Sequence, residues 1–357
     1  MCDQQQSPLR SALSRAAPSG DDYAQYLFRA LCAGRMAQTG ESHNQALDEL
    51  RRIPAGTPPI PEAADTDQAF LESCFLEEIG RCHKDRWRPR MLPFAVRSVT
   101  PRPHELVVRV PKEFLPDIIR GIMPSWSAEE EMTGAFSQVY GIPGLRARLW
   151  PGRVLLSRPG LAGRITIAAS AGRWRKAARI AADLGGADGM LMPWLTRPHD
   201  WHPAEARWVA SWPGHYSPDG WQYRNSRLAS QILRRLPGLC PAPRAYYHDL
   251  WFNRFGDTCR IQFEWALGVP HNVILGRLLH PVFGPGARIA PHDGQSLEDC
   301  YAETATQVRV QCTRQPATWI DLRRTIWDED QHDESFGQGF TEQRRRRRKT
   351  AEEKYGY

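Results

Sequence analysis

Between residues 95 and 195 the apolar pattern of this chain switches period repeatedly, and that switching constrains the fold more than any other feature. Glu105–Val110 alternates and is β-branched, which reads as a strand that Pro111 ends. Lys112–Ile122 reads as helical despite Pro116, and Ala128–Tyr140 extends or follows it. Arg146–Trp150 and Arg153–Ser157 flank Pro151-Gly152 as a hairpin, and Arg164–Ala168 is another strand. Ala171–Leu184 is the best-marked helix, with Ser170 as N-cap and Gly185-Gly186 as stop. Trp174, Ala177, Ala178, Ala181 and Leu184 line one of its faces, and Arg175, Lys176 and Arg179 line the other. Met190–Leu195 reads as a closing strand. The order predicts an α+β protein with a central ferredoxin-like (split βαβ) region carrying an extra hairpin arm.

The flanks are different in kind. Helical spacing over Asp22–Gln38, His43–Arg52 and Thr66–Arg81, with a Pro-rich linker at Ile53–Asp65, predicts a small helical N-terminal part. Downstream, Pro193–Gly220 reads as irregular. A helix at Asn225–Leu236 turns Leu228, Ile232 and Leu236 inward and Arg227, Arg234 and Arg235 outward. Thr258–Ala266 and Gln307–Cys312 read as strands, Leu297–Glu303 and Thr318–Trp327 as helices, and His271–His280 as apolar but ambiguous. No internal repeat is visible. The 357 residues divide into a disordered start (1–20), a helical region (21–90), a basic α+β domain (91–236), a mixed C-terminal region (237–327) and a disordered charged tail (328–357).

Charge supplies the functional reading. The formal net charge is +7, and only five of the 47 basic residues are lysine. Tyr140–Arg235 holds 15 basic and five acidic residues, a net +10, so the remainder of the chain is slightly acidic. Charge concentrated in one stretch is the footprint of a polyanion partner. The arginine fork suits phosphate and stacks on bases, although GC-rich coding raises arginine by itself. In the tail, an acidic block at Asp328–Glu334 precedes a basic run at Arg344–Lys349; such a run reads as an import signal, a nucleic-acid arm or a solvated tail.

The phosphate-neutralising residues expected on this basis are Arg146, Arg148, Arg153, Arg158, Arg164, Arg173, Arg175, Lys176 and Arg179. Ser170, Gly172 and Arg173 sit where free N–H groups and the helix dipole favour an anion, with ordinary capping as the plainer account. Trp201, Trp208 and Tyr223 lie in a segment where aromatics alternate with arginine, a pattern that stacks unpaired bases or fills a core. The expected partner is nucleic acid, RNA ahead of DNA, in a ribonucleoprotein, capsid or nucleoprotein. Protein partners or a homo-oligomer come second.

Other chemistries find little purchase. The alternatives are a nuclease or other enzyme acting on nucleic acid, using His199, Asp200 and His202 or Asp257 and Glu264, and an interaction scaffold for acidic partners. Cys74, Cys82 and His83 form the one tight thiol–imidazole group, but the paired-cysteine spacing of structural zinc is absent, so no metal is expected. No GxxxxGK[ST], GxSxG or HExxH occurs, and no cofactor is expected. Eight scattered cysteines read as free thiols, and no apolar run approaches the roughly 20 residues a membrane helix needs. The chain is therefore expected in the cytoplasm or nucleus, unless Ser7–Gly20, basic and without acids, is a mitochondrial presequence.

Overall fold

The computed structural model describes residues 20–54, 56–84, 93–133, 138–196, 199–212, 220, 223, 225–239, 247–255, 258–266, 270–291, 295–301 and 307–325. The expected disordered start (but for Gly20) and charged tail, Cys2, Arg197, Asp257 and the acidic and basic blocks lie outside them. The chain is α+β. It opens with helices α1 (Gly20–Thr39), α2 (His43–Arg52) and α3 (Thr66–Lys84). Strands β1 (Ser98–Arg102) and β2 (Glu105–Arg109), helix α4 (Leu115–Ile122), strand β3 (Trp126–Ser127) and helix α5 (Ala128–Thr133) follow. Then come β4 (Arg146–Trp150), β5 (Arg153–Ser157), β6 (Arg164–Ile167), α6 (Ala171–Ala187), β7 (Met190–Leu191), α7 (Pro193–Thr196) and α8 (Pro203–Ser211). The last part runs α9 (Arg227–Leu233), α10 (Leu236–Leu239), β8 (Tyr247–Phe255), β9 (Thr258–Ala266), α11 (His271–Leu278), β10 (Ala287–Ile289), α12 (Leu297–Tyr301), β11 (Gln307–Cys312) and β12 (Thr318–Thr325).

Two five-stranded sheets carry the architecture, in orders β1-β2-β6-β5-β4 and β8-β9-β12-β11-β10. The two are topologically the same. Each starts with an antiparallel hairpin (β1/β2, β8/β9). Each then sends the chain through an eight-residue helix (α4, α11) and returns by an antiparallel meander. In each, the last strand lies parallel to the second (β2/β6, β9/β12). The two helices bury the same positions: Leu115, Ile118, Ile119 and Ile122 in α4, and His271, Ile274, Leu275 and Leu278 in α11. The helices that precede the hairpins complete the correspondence. α3 packs on α4 and crosses to β8, α10 packs on α11 and crosses to β1, and α3 packs on α9. The two halves thus share one strand topology, which the residue pattern alone does not reveal.

The core is continuous through both halves, from Phe70, Phe75 and Ile79 on α3 to Ile320 and Leu322 on β12. α3 approaches β8 so closely that a Cβ on Gly80 would lie 2.4 Å from the Leu250 carbonyl oxygen. Buried ion pairs tie these layers. Glu72 on α3 accepts from Arg234 at 2.8 and 2.6 Å, from Ser230 Oγ at 2.6 Å and from Gln68 Nε2 at 2.6 Å, so every partner of the buried carboxylate is charged or strongly polar. Arg35 pairs with Glu41 in the same bidentate way. Arg235 has only carbonyl oxygens (Phe283, Gln231, Gly284), and burial, with Arg234 beside it, pushes its guanidinium down to about 9.

Several sequence expectations need correction. Thr318–Trp327 is not a helix: Thr318–Thr325 is the strand that joins β11 to β9, with Ile320 and Leu322 alternating inward. Met190–Leu195 does not close the main sheet. Met190–Leu191 pairs with β3 in a separate ribbon, and the edge beside β2 is taken by β1, upstream of it, so the strand order departs from the expected ferredoxin-like one. Helix α5 covers Ala128–Thr133 among the described residues, and Tyr140, expected within it, forms a bridge to Ser125. The Pro193–Gly220 segment contains α7 and α8. Arg234 and Arg235 point inward, because buried acceptors wait for them.

Candidate nucleic-acid interface

Strand alternation sorts the first sheet into two faces. Val99, Leu106, Val108, Val154, Leu156, Ile165 and Ile167 face the core, with Ala147 and Leu149 beside α6. Val107, Arg109, Arg148, Trp150, Arg153, Leu155, Arg164 and Thr166 face the other way. That face is open only in part: Thr100, Thr166 and Arg146 on it are buried, and on its β1/β2 side Arg102 pairs with Glu105 at 2.9 Å and with Glu49 at 2.7 Å. Burial pushes the Glu49 carboxyl up, but the Arg102 hydrogen bond and charge outweigh it, and the net shift is downward. The β4–β6 side is different. Arg148, Arg153 and Arg164 are exposed and make no ion pair among the described residues.

The expected site residues therefore separate into three groups. Arg148, Arg153 and Arg164 share the open sheet face. Arg173, Arg175, Lys176 and Arg179 stand exposed on the outer side of α6, on the opposite side of the sheet, also without ion pairs among the described residues. Their i,i+3 and i,i+4 spacing sets like charges side by side, which costs about 0.2–0.5 kcal/mol per pair. Ser170 Oγ accepts from the Arg173 N–H at 3.3 Å, which makes it an ordinary cap, and Gly172 beside it is exposed to open space.

The third group is buried or half-buried and is corrected from surface to interior. Arg146 is 3% exposed and forms a bidentate pair with Glu205 (2.7 and 3.1 Å), which is itself fully buried. Glu205 also accepts from the Gly144 N–H (2.7 Å) and the His202 N–H (2.8 Å), and Arg146 donates to the Asp200 carbonyl. Arg158 is buried between the rings of Phe70 and Trp201, 5.6 and 5.0 Å from their centroids. Trp201 covers Gly144, whose φ of +79° and 2.7 Å clearance to the indole both demand glycine. Trp208 packs against Trp126, Val139 and Ala204. The Tyr223 hydroxyl donates to Asp67 while its ring lies 5.2 Å from Phe70; burial and Asp67 push the phenol well above its ordinary range.

Two exposed residues on the open face escaped the sequence reading. Trp150 is 50% exposed, with the Arg153 guanidinium 5.8 Å from its ring centroid, and Arg109 is exposed at the end of β2. The signal for Trp150 was present: in Arg146–Trp150, alternation places it on the same side as Arg148.

The second sheet, of the same topology, provides an internal contrast. On the matching face of the second sheet, buried Asp321 pairs with Arg260 at 2.5 Å and Arg309 at 3.0 Å, and Arg323 lies 4.0 Å from Glu264. Arg288 donates to Gln311, and Arg309 lies over Trp319. Arg260, Arg309 and Arg323 thus have acidic partners, whereas Arg288 is exposed and has only the Gln311 amide among the described residues.

Of the catalytic candidates, His202 has a structural use. His202 Nδ1 accepts from the Ala204 N–H and caps α8, and its ring lies 4.8 Å from Trp126. His199 and Asp200 are exposed. Among the described residues no three His, Cys, Asp or Glu side chains converge to hold a metal ion, and no helix is long and apolar enough to cross a membrane. Cys74 is buried on α3, and the side chains of Cys82 and His83 are outside the described residues. Comparison with protein-family models, with curated proteins and with solved structures finds no match to this chain.

Proposed function

We propose that this chain is a non-catalytic nucleic-acid-binding protein that takes a single-stranded ligand, RNA ahead of DNA, on the open face of its first sheet. One observation carries the reading. Arg148, Arg153 and Arg164 stand exposed together without ion pairs among the described residues, while on the same face of the second sheet Arg260, Arg309 and Arg323 have acidic partners. Exposed arginines without acidic partners are available to phosphate. Trp150, beside them on the sheet, offers a ring on which an unpaired base stacks. The α6 row of Arg173, Arg175, Lys176 and Arg179 extends the positive field around the edge of the sheet. RNA is placed ahead of DNA on aromatic content alone.

The test is binding of the purified chain to single-stranded RNA, single-stranded DNA and duplex DNA across a salt series. The reading expects single strands to bind more tightly than duplex, with affinity falling steeply as salt rises. Absence of binding at about 50 mM salt, the low end of the usual range, rejects it. Metal-dependent cleavage of the ligand replaces it with the enzymatic alternative.

A further inference from the structure

We propose that the outer edge of β4 and the groove beneath it form a docking site for an extended acidic peptide. β4 is the last strand of its sheet. Beyond its ladder with β5, the backbone of Ala147–Trp150 has no hydrogen-bond partner among the described residues. An open edge is a template for a further strand. Under this edge lies a groove of about 480 Å³, within the range of specific ligand clefts. Its walls are Ala147 and Leu149 of β4, Trp174 and Ala178 of α6, and Trp194 and Leu195 of α7. The rim is Arg175 and Arg179, and among the described residues no acidic residue lines it.

The two features fit one occupant. A strand added to β4 sends alternate side chains to opposite faces of the sheet. Those on the helix side enter the groove against Leu149 and Trp174, so they are apolar. The others meet Arg148 and Trp150 on the open face, where acidic residues suit, and Arg175 and Arg179 at the groove mouth attract the net negative charge of the strand. Charge also selects the partner. A second copy of β4 brings Arg148 against Arg148 and is repelled, whereas an acidic strand is attracted. A nucleic acid strand lacks the alternating N–H and C=O groups that match a sheet edge, and its bases and phosphates do not alternate across it. The site is therefore distinct from the open sheet face, although Arg148 and Trp150 border both.

The probe is a fluorescently labelled peptide of alternating glutamate and valine, about eight residues long, titrated into the full chain and followed by anisotropy and amide hydrogen exchange. The expected result is saturable binding with slowed exchange at Ala147–Trp150. Arg179→Glu, an exposed change that leaves the fold intact, weakens it about tenfold, and groove-filling Ala178→Phe abolishes it. The lysine–valine counterpart does not bind. Three results overturn the proposal: unchanged exchange in β4, equal affinity for polyglutamate of the same length, or protection of the β4 amides by single-stranded RNA in place of the peptide.

Discussion

Arg146 and Arg148 are two residues apart on one strand and are expected to behave oppositely when shortened to alanine. Arg146 is buried, pairs with the fully buried Glu205 and holds the Asp200 carbonyl. Arg146→Ala leaves Glu205 with the Gly144 and His202 amides but no cation, deep in the protein. Breaking a buried pair from one side costs about 3–5 kcal/mol. For a chain of this size that lowers Tm by on the order of 10 °C. Arg148 is exposed without an ion pair among the described residues, so Arg148→Ala changes stability by less than about 0.5 kcal/mol. Thermal unfolding by circular dichroism reads both variants. The assignment of Arg146 to the interior is wrong if its variant melts with the wild type, and the assignment of Arg148 to the surface is wrong if the two variants fall together. Replacing both partners, Arg146→Met with Glu205→Leu, recovers part of the loss, because no buried charge is left unpaired.

Glu72→Gln removes the counter-charge of buried Arg234 while keeping its shape, and is expected to cost about 3–5 kcal/mol, read as a lower urea midpoint. Trp150→Ala is expected to leave that midpoint unchanged and to weaken binding of single-stranded RNA by about 1–3 kcal/mol; equal affinity removes the stacking role. His280 Nδ1 accepts from the Val282 and Phe283 N–H groups at 3.1 and 3.2 Å, and burial lowers its pKa. Protonation is therefore favoured in the unfolded chain. The contribution of this partly desolvated group to stability is full above about pH 6.5, the unfolded value, and is lost as pH falls below it toward the folded value. Tm measured from about pH 5 to 8 shows this decline in the wild type, and His280→Asn flattens it; an equal slope in both rejects the assignment.

The sequence was most legible where the causes are local. Ser170 caps α6, the Pro151-Gly152 turn makes the β4–β5 hairpin, and the apolar stripe of α6 faces inward as its spacing requires. The errors share a non-local cause. Arg234 and Arg235 look solvated within their own segment, and only Glu72 and the Phe283 and Gly284 carbonyls, distant in sequence, explain their burial. Thr318–Thr325 has its order from parallel pairing with β9, a partner no window around it contains. Arg146 and Arg164 occupy one face of one sheet, yet only Arg146 has an acid brought over it by α8. The shared topology of the two halves left little trace beyond the shared apolar spacing of α4 and α11, because one strand order is compatible with many sequences.

The central claim is that Arg148, Arg153 and Arg164 neutralise phosphates on the open sheet face. Its most direct test is the salt dependence of single-stranded RNA binding for the wild type and for the triple variant Arg148→Gln, Arg153→Gln, Arg164→Gln. Each phosphate contact on a single strand contributes about 0.7 to the slope of log affinity against log salt, so the variant is expected to lose about 2 from that slope. A slope unchanged by the three substitutions contradicts the account and moves any binding surface elsewhere on the protein.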